Sequence, residues 1–308
     1  MNIFLLLLPI ILIIFTGYFS ARFSLFTQSS SEHFTRLAFY IAIPCQIFYL
    51  LSKMSFYQVV NFHYILAYAF CTVITGKIVF IISSFILKKS FAESSLNIMG
   101  SSMTNTAYFA IPLFILLFNN PAPVISILLF QLLIMTTFIV CIIEHNKKKK
   151  SSKNIFLISM QNPIIAASML GILFSFYHLD LPTFLDSFLN IMGSAAAPLI
   201  LFALGQSLYS DFKKIEKNDL IEVLMLVTTK LFVCPILAFF VGKYVFNLNE
   251  FWLSSLIIMS AMPTPNNMFI FAMKYQLDVK KASTVILTTT LLSFITLSLL
   301  FFVLHPSM

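Results

Sequence analysis

The chain has 308 residues, 59% of them hydrophobic and only 10% charged, with a mean hydropathy of +0.96. That composition excludes a soluble domain, and 36 phenylalanines among so few charges fit an integral membrane protein. The net charge of +8 does not point to nucleic acid, because the basic residues sit in loops between apolar segments, where they orient a chain in a bilayer.

Residues 1–20 are apolar and lack the basic stretch that opens a cleaved signal peptide, so they read as a first transmembrane helix. Stretches able to cross ~30 Å of hydrocarbon at ~1.5 Å per residue then follow. All ten fall near 3–20, 36–52, 61–87, 94–118, 122–143, 157–177, 184–208, 220–242, 251–273 and 282–304. The predicted class is therefore all-α integral membrane, with ten transmembrane helices. Assigned to alternate sides, the loops put fifteen Lys and Arg on one side: Arg22, Arg36, Lys88, Lys89, lysines 147–150 and 153, Lys213, Lys214, Lys217, Lys274, Lys280 and Lys281. The other side receives only Lys53 and Lys243. This bias makes the first side cytoplasmic, with the lysine-rich loop, and leaves both termini outside.

Two spans are interrupted. The fourth contains Met99-Gly100-Ser101-Ser102-Met103-Thr104-Asn105-Thr106-Ala107, closed by Pro112. The ninth contains Met259-Ser260-Ala261-Met262-Pro263-Thr264-Pro265-Asn266-Asn267. Backbone freed inside a bilayer must be satisfied by protein, a cavity or a ligand, and paired broken helices mark the binding site of secondary transporters. An internal repeat agrees. Gly17 matches Gly171 and Ala42-Ile43-Pro44 matches Ala196-Ala197-Pro198, both at an offset of 154. Lys77 matches Lys230 at 153, and Ile98-Met99 matches Ile258-Met259 at 160. The predicted organisation is a first five-helix repeat over 1–146, a linker over 147–153 and a second repeat over 154–308. Five is odd, so the halves are inverted.

A broken helix presents unpaired N–H groups, with partial positive charge, at the start of one half. Two such starts make an anion site. Thr104, Asn105, Thr106, Thr264, Asn266 and Asn267 add polar side chains, while Pro112 and Pro265 keep the helices from closing. Lys77 lies 11 residues before Lys88, roughly 16 Å by helix rise, and Lys230 sits at similar depth. Intramembrane lysines are costly and mark function. The eleven carboxylates read as loop or span-end residues, Glu222 being nearest, so the lysines' expected partners are half-helix carbonyls, Gln131 or the bound anion. The remaining polar residues read as structural. His33, His63, His145, His178 and His305 fall in loops or at span ends, and Cys45, Cys71, Cys141 and Cys234 lack any metal-ligand spacing. Pro44 and Pro198 read as kinks, and Gly17, Gly171 and Gly205 as points of close helix packing.

The chain resembles the auxin efflux carrier family, which includes plant PIN carriers and bacterial organic-acid carriers. The resembling residues are Asn162-Pro163, Gly193 through Ala195-Ala196-Ala197-Pro198-Leu199 with Gly205, and Ala261-Met262-Pro263 through Asn266 to Ala272 and Tyr275. The likeness covers nearly the whole chain. It implies the fold of sodium–proton antiporters and bile-acid transporters, with broken helices four and nine crossing at mid-membrane. It also implies a scaffold of spans one, two, six and seven, a moving unit made from the rest, and a homodimer. In the family an asparagine at the span-four break holds the substrate carboxylate, and Asn105 matches it. The lysines would then stand where sodium sits in related folds. Plant members carry an acid beside the span-three lysine, whereas Cys71-Thr72-Val73-Ile74-Thr75 has none.

The expected function is secondary transport of small organic anions such as malonate or malate, proton-coupled or uniport, in a bacterial inner membrane, by an elevator-type movement. No GxxxxGK[ST] motif is present, and neither a cofactor nor a metal is expected. Sodium-coupled symport is the alternative, although its usual intramembrane acids are missing. A membrane sensor and an intramembrane hydrolase rank below it, the latter because Ser101 and Ser102 have no mid-membrane acid or histidine beside them.

Overall fold

The computed structural model describes residues 3–26, 30–54, 61–118, 120, 122–146, 163–211 and 217–304; the lysine linker and Asn162 lie outside them. Every regular element among the described residues is a helix. These are α1 (Ile3–Arg22), α2 (Ser30–Lys53), α3 (Phe62–Ile86), α4 (Phe91–Ser102), α5 (106–118), α6 (122–146), α7 (Pro163–Phe176), α8 (Thr183–Ser194), α9 (Ala196–Asp211), α10 (217–245), α11 (Glu250–Ala261), α12 (Asn267–Lys274) and α13 (Val279–Leu304). Among the described residues, six helical runs are long and apolar enough to cross a membrane: α2, α3, Ala122–Ile139, Thr183–Ala203, Leu220–Val245 and α13.

Local chemistry explains where the helices start. Ser90 opens α4 with a capping box, accepting from the Glu93 N–H at 3.2 Å while Glu93 Oε2 accepts from the Ser90 N–H at 3.1 Å. Asn249 opens α11 through its Oδ1, which accepts from the Trp252 N–H at 3.1 Å. Helix ends repeat along the chain. Ser24 and His178, 154 positions apart, are both left-handed (φ 53° and 51°), and the Leu25→Ser20 and Leu179→Phe174 backbone bonds are both 2.9 Å. Lys88 and Asn247, 159 apart, are also left-handed (φ 52° and 47°), and Leu87→Ile82 matches Phe246→Val241 at 3.0 Å. An αL residue here turns the chain while satisfying the last carbonyls.

Some prolines sit beside irregular turns, whereas Pro9 lies inside the regular helix α1. Pro44 follows a π-helical turn at Ala38–Ala42, Pro198 follows the turn at Ala195, and Pro235 follows a π-helical turn at Thr229–Val233. Proline lacks the N–H that would close a regular turn, so the local winding loosens.

The helices pack in two groups. In the first, α1 lies along α9, and α7 and α8 lie against α2. Glycine permits this closeness: a Cβ on Gly17 would stand 2.1 Å from the Phe202 carbonyl oxygen, and one on Gly205 2.0 Å from that of Ile14. Gly171 approaches Leu51 in the same way. In the second group α3 packs on α4, α10 on α11 and α13, and α4 on α6. The buried core of this group surrounds the two helix breaks.

Candidate functional site

Two helices stop halfway. α4 ends at Ser102, Met103 is extended, and α5 resumes at Thr106 with a π-helical turn; Pro112 is the second residue of the regular turns Ile111–Phe118 that follow. α11 ends at Ala261, residues 262–266 are irregular, and α12 starts at Asn267. The breaks touch. The Asn105 N–H donates to the Pro263 carbonyl at 2.9 Å. Thr104 Oγ1 donates to the Met259 carbonyl in the last turn of α11 at 3.1 Å, and Thr264 Oγ1 donates to the Gly100 carbonyl in the last turn of α4 at 2.6 Å. Each break thus supplies a threonine hydroxyl to the carbonyl end of the other half-helix, where the Met259 carbonyl also takes the Met262 N–H at 3.3 Å.

The carbonyl ends of α4 and α11 converge on a cation. Lys230, buried in the π-helical turn of α10, donates through Nζ to Thr104 Oγ1 at 3.0 Å. The Tyr68 hydroxyl lies 2.9 Å from the same Oγ1. Gln131, in a further π-helical turn, clamps the broken backbone. With its carbonyl facing the Tyr68 hydroxyl at 2.6 Å, its amide donates to the Thr104 carbonyl and accepts from the Thr104 N–H, both at 3.0 Å. An ammonium among half-helix C-termini is the favourable sign of charge for the dipoles.

The N-terminal starts of α5 and α12 face a small cavity of about 30 Å³. Its walls include Thr104, Asn105, Thr106, Gln131, Pro265, Asn266 and Asn267, opposed by Ile43, Ile47, Leu128 and Leu132. Neither Asn105 nor Asn266 caps its own helix, and Asn266 Oδ1 is buried with no hydrogen-bond partner among the described residues. This volume suits about one or two waters and is too small for a carboxylate with a carbon skeleton.

Of the residues singled out from sequence, the structure therefore brings together Thr104, Asn105, Thr106, Gln131, Pro265, Asn266, Asn267 and Lys230. Thr264 stands behind the cavity, its N–H donating to Thr289 Oγ1 at 3.2 Å. Lys77 does not join them: it is exposed on the outer face of α3. The offset of 153 that paired it with Lys230 is out of register with the 159 set by the helix-end turns at Lys88 and Asn247, which places buried Cys71 opposite Lys230. Sequence reasoning missed Tyr68. It also misread Glu222 as a span-end acid, whereas its carboxylate is fully buried and bonded to Lys281 Nζ at 2.7 Å. One signal was available: Glu222, Leu226 and Lys230 share a helix face at intervals of four.

Broken helices that cross at a buried polar cavity, inside an assembly of membrane-length apolar helices, define a membrane transporter by class. Residues 2–301 match the family described as membrane transport protein, and the chain belongs to that family, the auxin efflux carrier family that its motifs resemble. It is a multi-pass membrane transporter rather than an enzyme. It is 24% identical to a Rhizobium meliloti protein named "Putative malonate transporter", over 95% of this chain and 93% of that one. It is equally similar, at 24%, to an uncharacterized transporter of Methanocaldococcus jannaschii over 92% of this chain and 93% of the relative. A shorter match, 32% over 27% of this chain and 10% of the relative, is to the mouse lysosomal cholesterol signaling protein.

Proposed function

We propose that the chain is a secondary carrier of small organic anions, mono- or dicarboxylates, across the bacterial inner membrane. One observation carries this reading: the starts of α5 and α12 and the uncapped amides of Asn105 and Asn266 face one cavity, with the Lys230 ammonium behind it at Thr104. A carboxylate accepts hydrogen bonds only and is drawn to helix N-termini. The name of the Rhizobium relative fits the same class of substrate. Lys230 supplies a built-in cation at the carbonyl ends, which favours this reading over sodium symport.

The repeated turns at offsets of 154 and 159 support two inverted five-helix halves, giving ten spans with the lysine-rich linker in the cytoplasm. The two packing groups support a scaffold of α1, α2, α7, α8 and α9 and a moving unit that carries both breaks. Ile43 and Ile47 of α2 wall the cavity, so it lies at the boundary between the two groups, where an elevator-type shift would expose it to either side. Labelled malonate and malate uptake into proteoliposomes, with and without a proton gradient, tests the reading. Wild-type uptake that vanishes in Asn105→Ala is the expected result; undiminished uptake by that variant removes the crossover site.

A further inference from the structure

The cation behind the cavity is short of partners. Lys230 is fully enclosed and its ammonium carries three N–H donors, yet Thr104 Oγ1 at 3.0 Å is its one hydrogen-bond acceptor among the described residues. The carbonyl ends of α4 and α11 favour the charge, but the Gly100 and Met259 carbonyls accept from Thr264 and Thr104 instead. No carboxylate among the described residues pairs with Nζ. The titratable groups around it are of types uncharged at neutral pH: the Tyr68 hydroxyl of α3, the Cys234 thiol one turn on, and Cys71 of α3 beside that thiol. The nearest acid along α10, Glu222, is eight residues away, about 12 Å by helix rise, where Lys281 of α13 bonds it at 2.7 Å. α4 and α11 carry Glu93 and Glu250 in their first turns, away from the breaks.

We infer that Lys230 is the coupling group of the carrier: its Nζ takes up one proton when a carboxylate binds at Asn105 and Asn266, and releases it when the carboxylate leaves. The inference rests on the anion-carrier reading and adds the coupling ion and the residue that holds it.

A charge taken out of water without a partner is costly enough that the group is neutralised instead. A carboxylate on the far side of Thr104 supplies the missing opposite charge, so the ammonium belongs with the bound anion and the amine with its absence. In the uptake step one O–H bond of a hydronium ion breaks and an N–H bond forms from the Nζ lone pair; release reverses it. Proton and anion then cross the low-dielectric boundary together, with less net charge than the anion alone.

Thr104 has a bonding pattern for each state. With the ammonium, Nζ donates to Oγ1 and the Thr104 hydroxyl donates to the Met259 carbonyl. With the amine, that hydroxyl turns and donates to the Nζ lone pair, while the Met259 carbonyl keeps the Met262 N–H at 3.3 Å. Tyr68 does not compete, since its one proton goes to the Gln131 carbonyl at 2.6 Å. One hydroxyl rotor therefore links the state of Lys230 to the break whose next residue, Asn105, lines the cavity.

The experiment counts protons per anion. Malonate affinity of the purified protein is measured from about pH 7 to 10, where malonate is fully ionised and an amine can titrate, and proton uptake on binding is read with a pH dye in weak buffer. Wild type is expected to take up as much as one proton per malonate and to lose affinity about tenfold per pH unit at the alkaline end. Lys230→Arg, which stays charged throughout, is expected to bind with an affinity that does not change with pH and to take up no proton. Lys230→Met serves the same purpose should the arginine variant not fold. Cys234→Ala, which removes the adjacent thiol, keeps the wild-type slope. A flat wild-type profile without proton uptake, a wild-type slope in the arginine or methionine variant, or a flat profile in Cys234→Ala overturns the coupling role and leaves the carrier reading standing. Absence of malonate binding to wild type at every pH overturns the carrier reading and this one with it.

Discussion

Replacing Lys230 by Met removes a charge while keeping an unbranched apolar side chain of similar length. A carboxylate held by Asn105 and Asn266 would feel the Lys230 charge through protein; for a separation taken as ~7 Å, an effective dielectric of ~20 gives an attraction of about 2.4 kcal/mol, or roughly 50-fold in affinity. Thr104 Oγ1 would keep its bond to the Met259 carbonyl and its neighbour Tyr68, so the crossover should survive. Desolvating an ammonium is itself costly, and apolar replacement of buried charge is often neutral or stabilising. Lys230→Met is therefore expected to raise the half-saturating malonate concentration by roughly 50-fold while leaving the thermal midpoint of the purified protein unchanged or higher. Exchange kinetics and thermal unfolding, measured on one preparation, check both halves. An affinity within about threefold of wild type would place the anion beyond the reach of Lys230's field and refute the electrostatic account.

Lys77→Met is the paired control: its side chain is exposed on α3, so uptake should match wild type, and a loss would reinstate the lysine pair. Gln131→Leu leaves the Thr104 N–H unpaired, at about 1–3 kcal/mol, while the Thr104 carbonyl keeps the Thr106 N–H at 2.9 Å. It should lower the thermal midpoint and abolish uptake in protein that still inserts. Gly205→Ala puts a methyl 2.0 Å from the Ile14 carbonyl oxygen, which forces α1 from α9 at about 1–3 kcal/mol; thermal unfolding should show the loss, and an unchanged midpoint would mean the two helices do not pack this closely.

The breaks were legible because they are local chemistry: Gly100, Pro263 and Pro265 forbid or weaken regular helix wherever they sit. Lys230 was legible for a similar reason, since a lysine amid apolar residues stands out at any register. Its partners were not. Tyr68 comes from α3 and Gln131 from α6, and only the packing of those helices on α4 turns a tyrosine and an amide into a clamp on Thr104. Lysine pairing by offset failed because offsets shift along the chain: the helix-end turns match at 154 for Ser24 and His178 but at 159 for Lys88 and Asn247.

Glu222 and Lys281 show a deeper limit. Near helix ends, sequence cannot distinguish a solvated charge from one that a neighbouring helix covers. Lys281 had every feature of an orienting loop lysine, yet α10 and α4 enclose it. At another contact of the same packing group, between α3 and α11, the chain uses aromatic surface instead, with Tyr64 tilted against Trp252 at 4.9 Å between centroids. That contact joins two helices through ring surface alone, whereas the Glu222 cluster forms only when α10, α13, α4 and α3 arrive together, which is why its burial could not be read from the sequence.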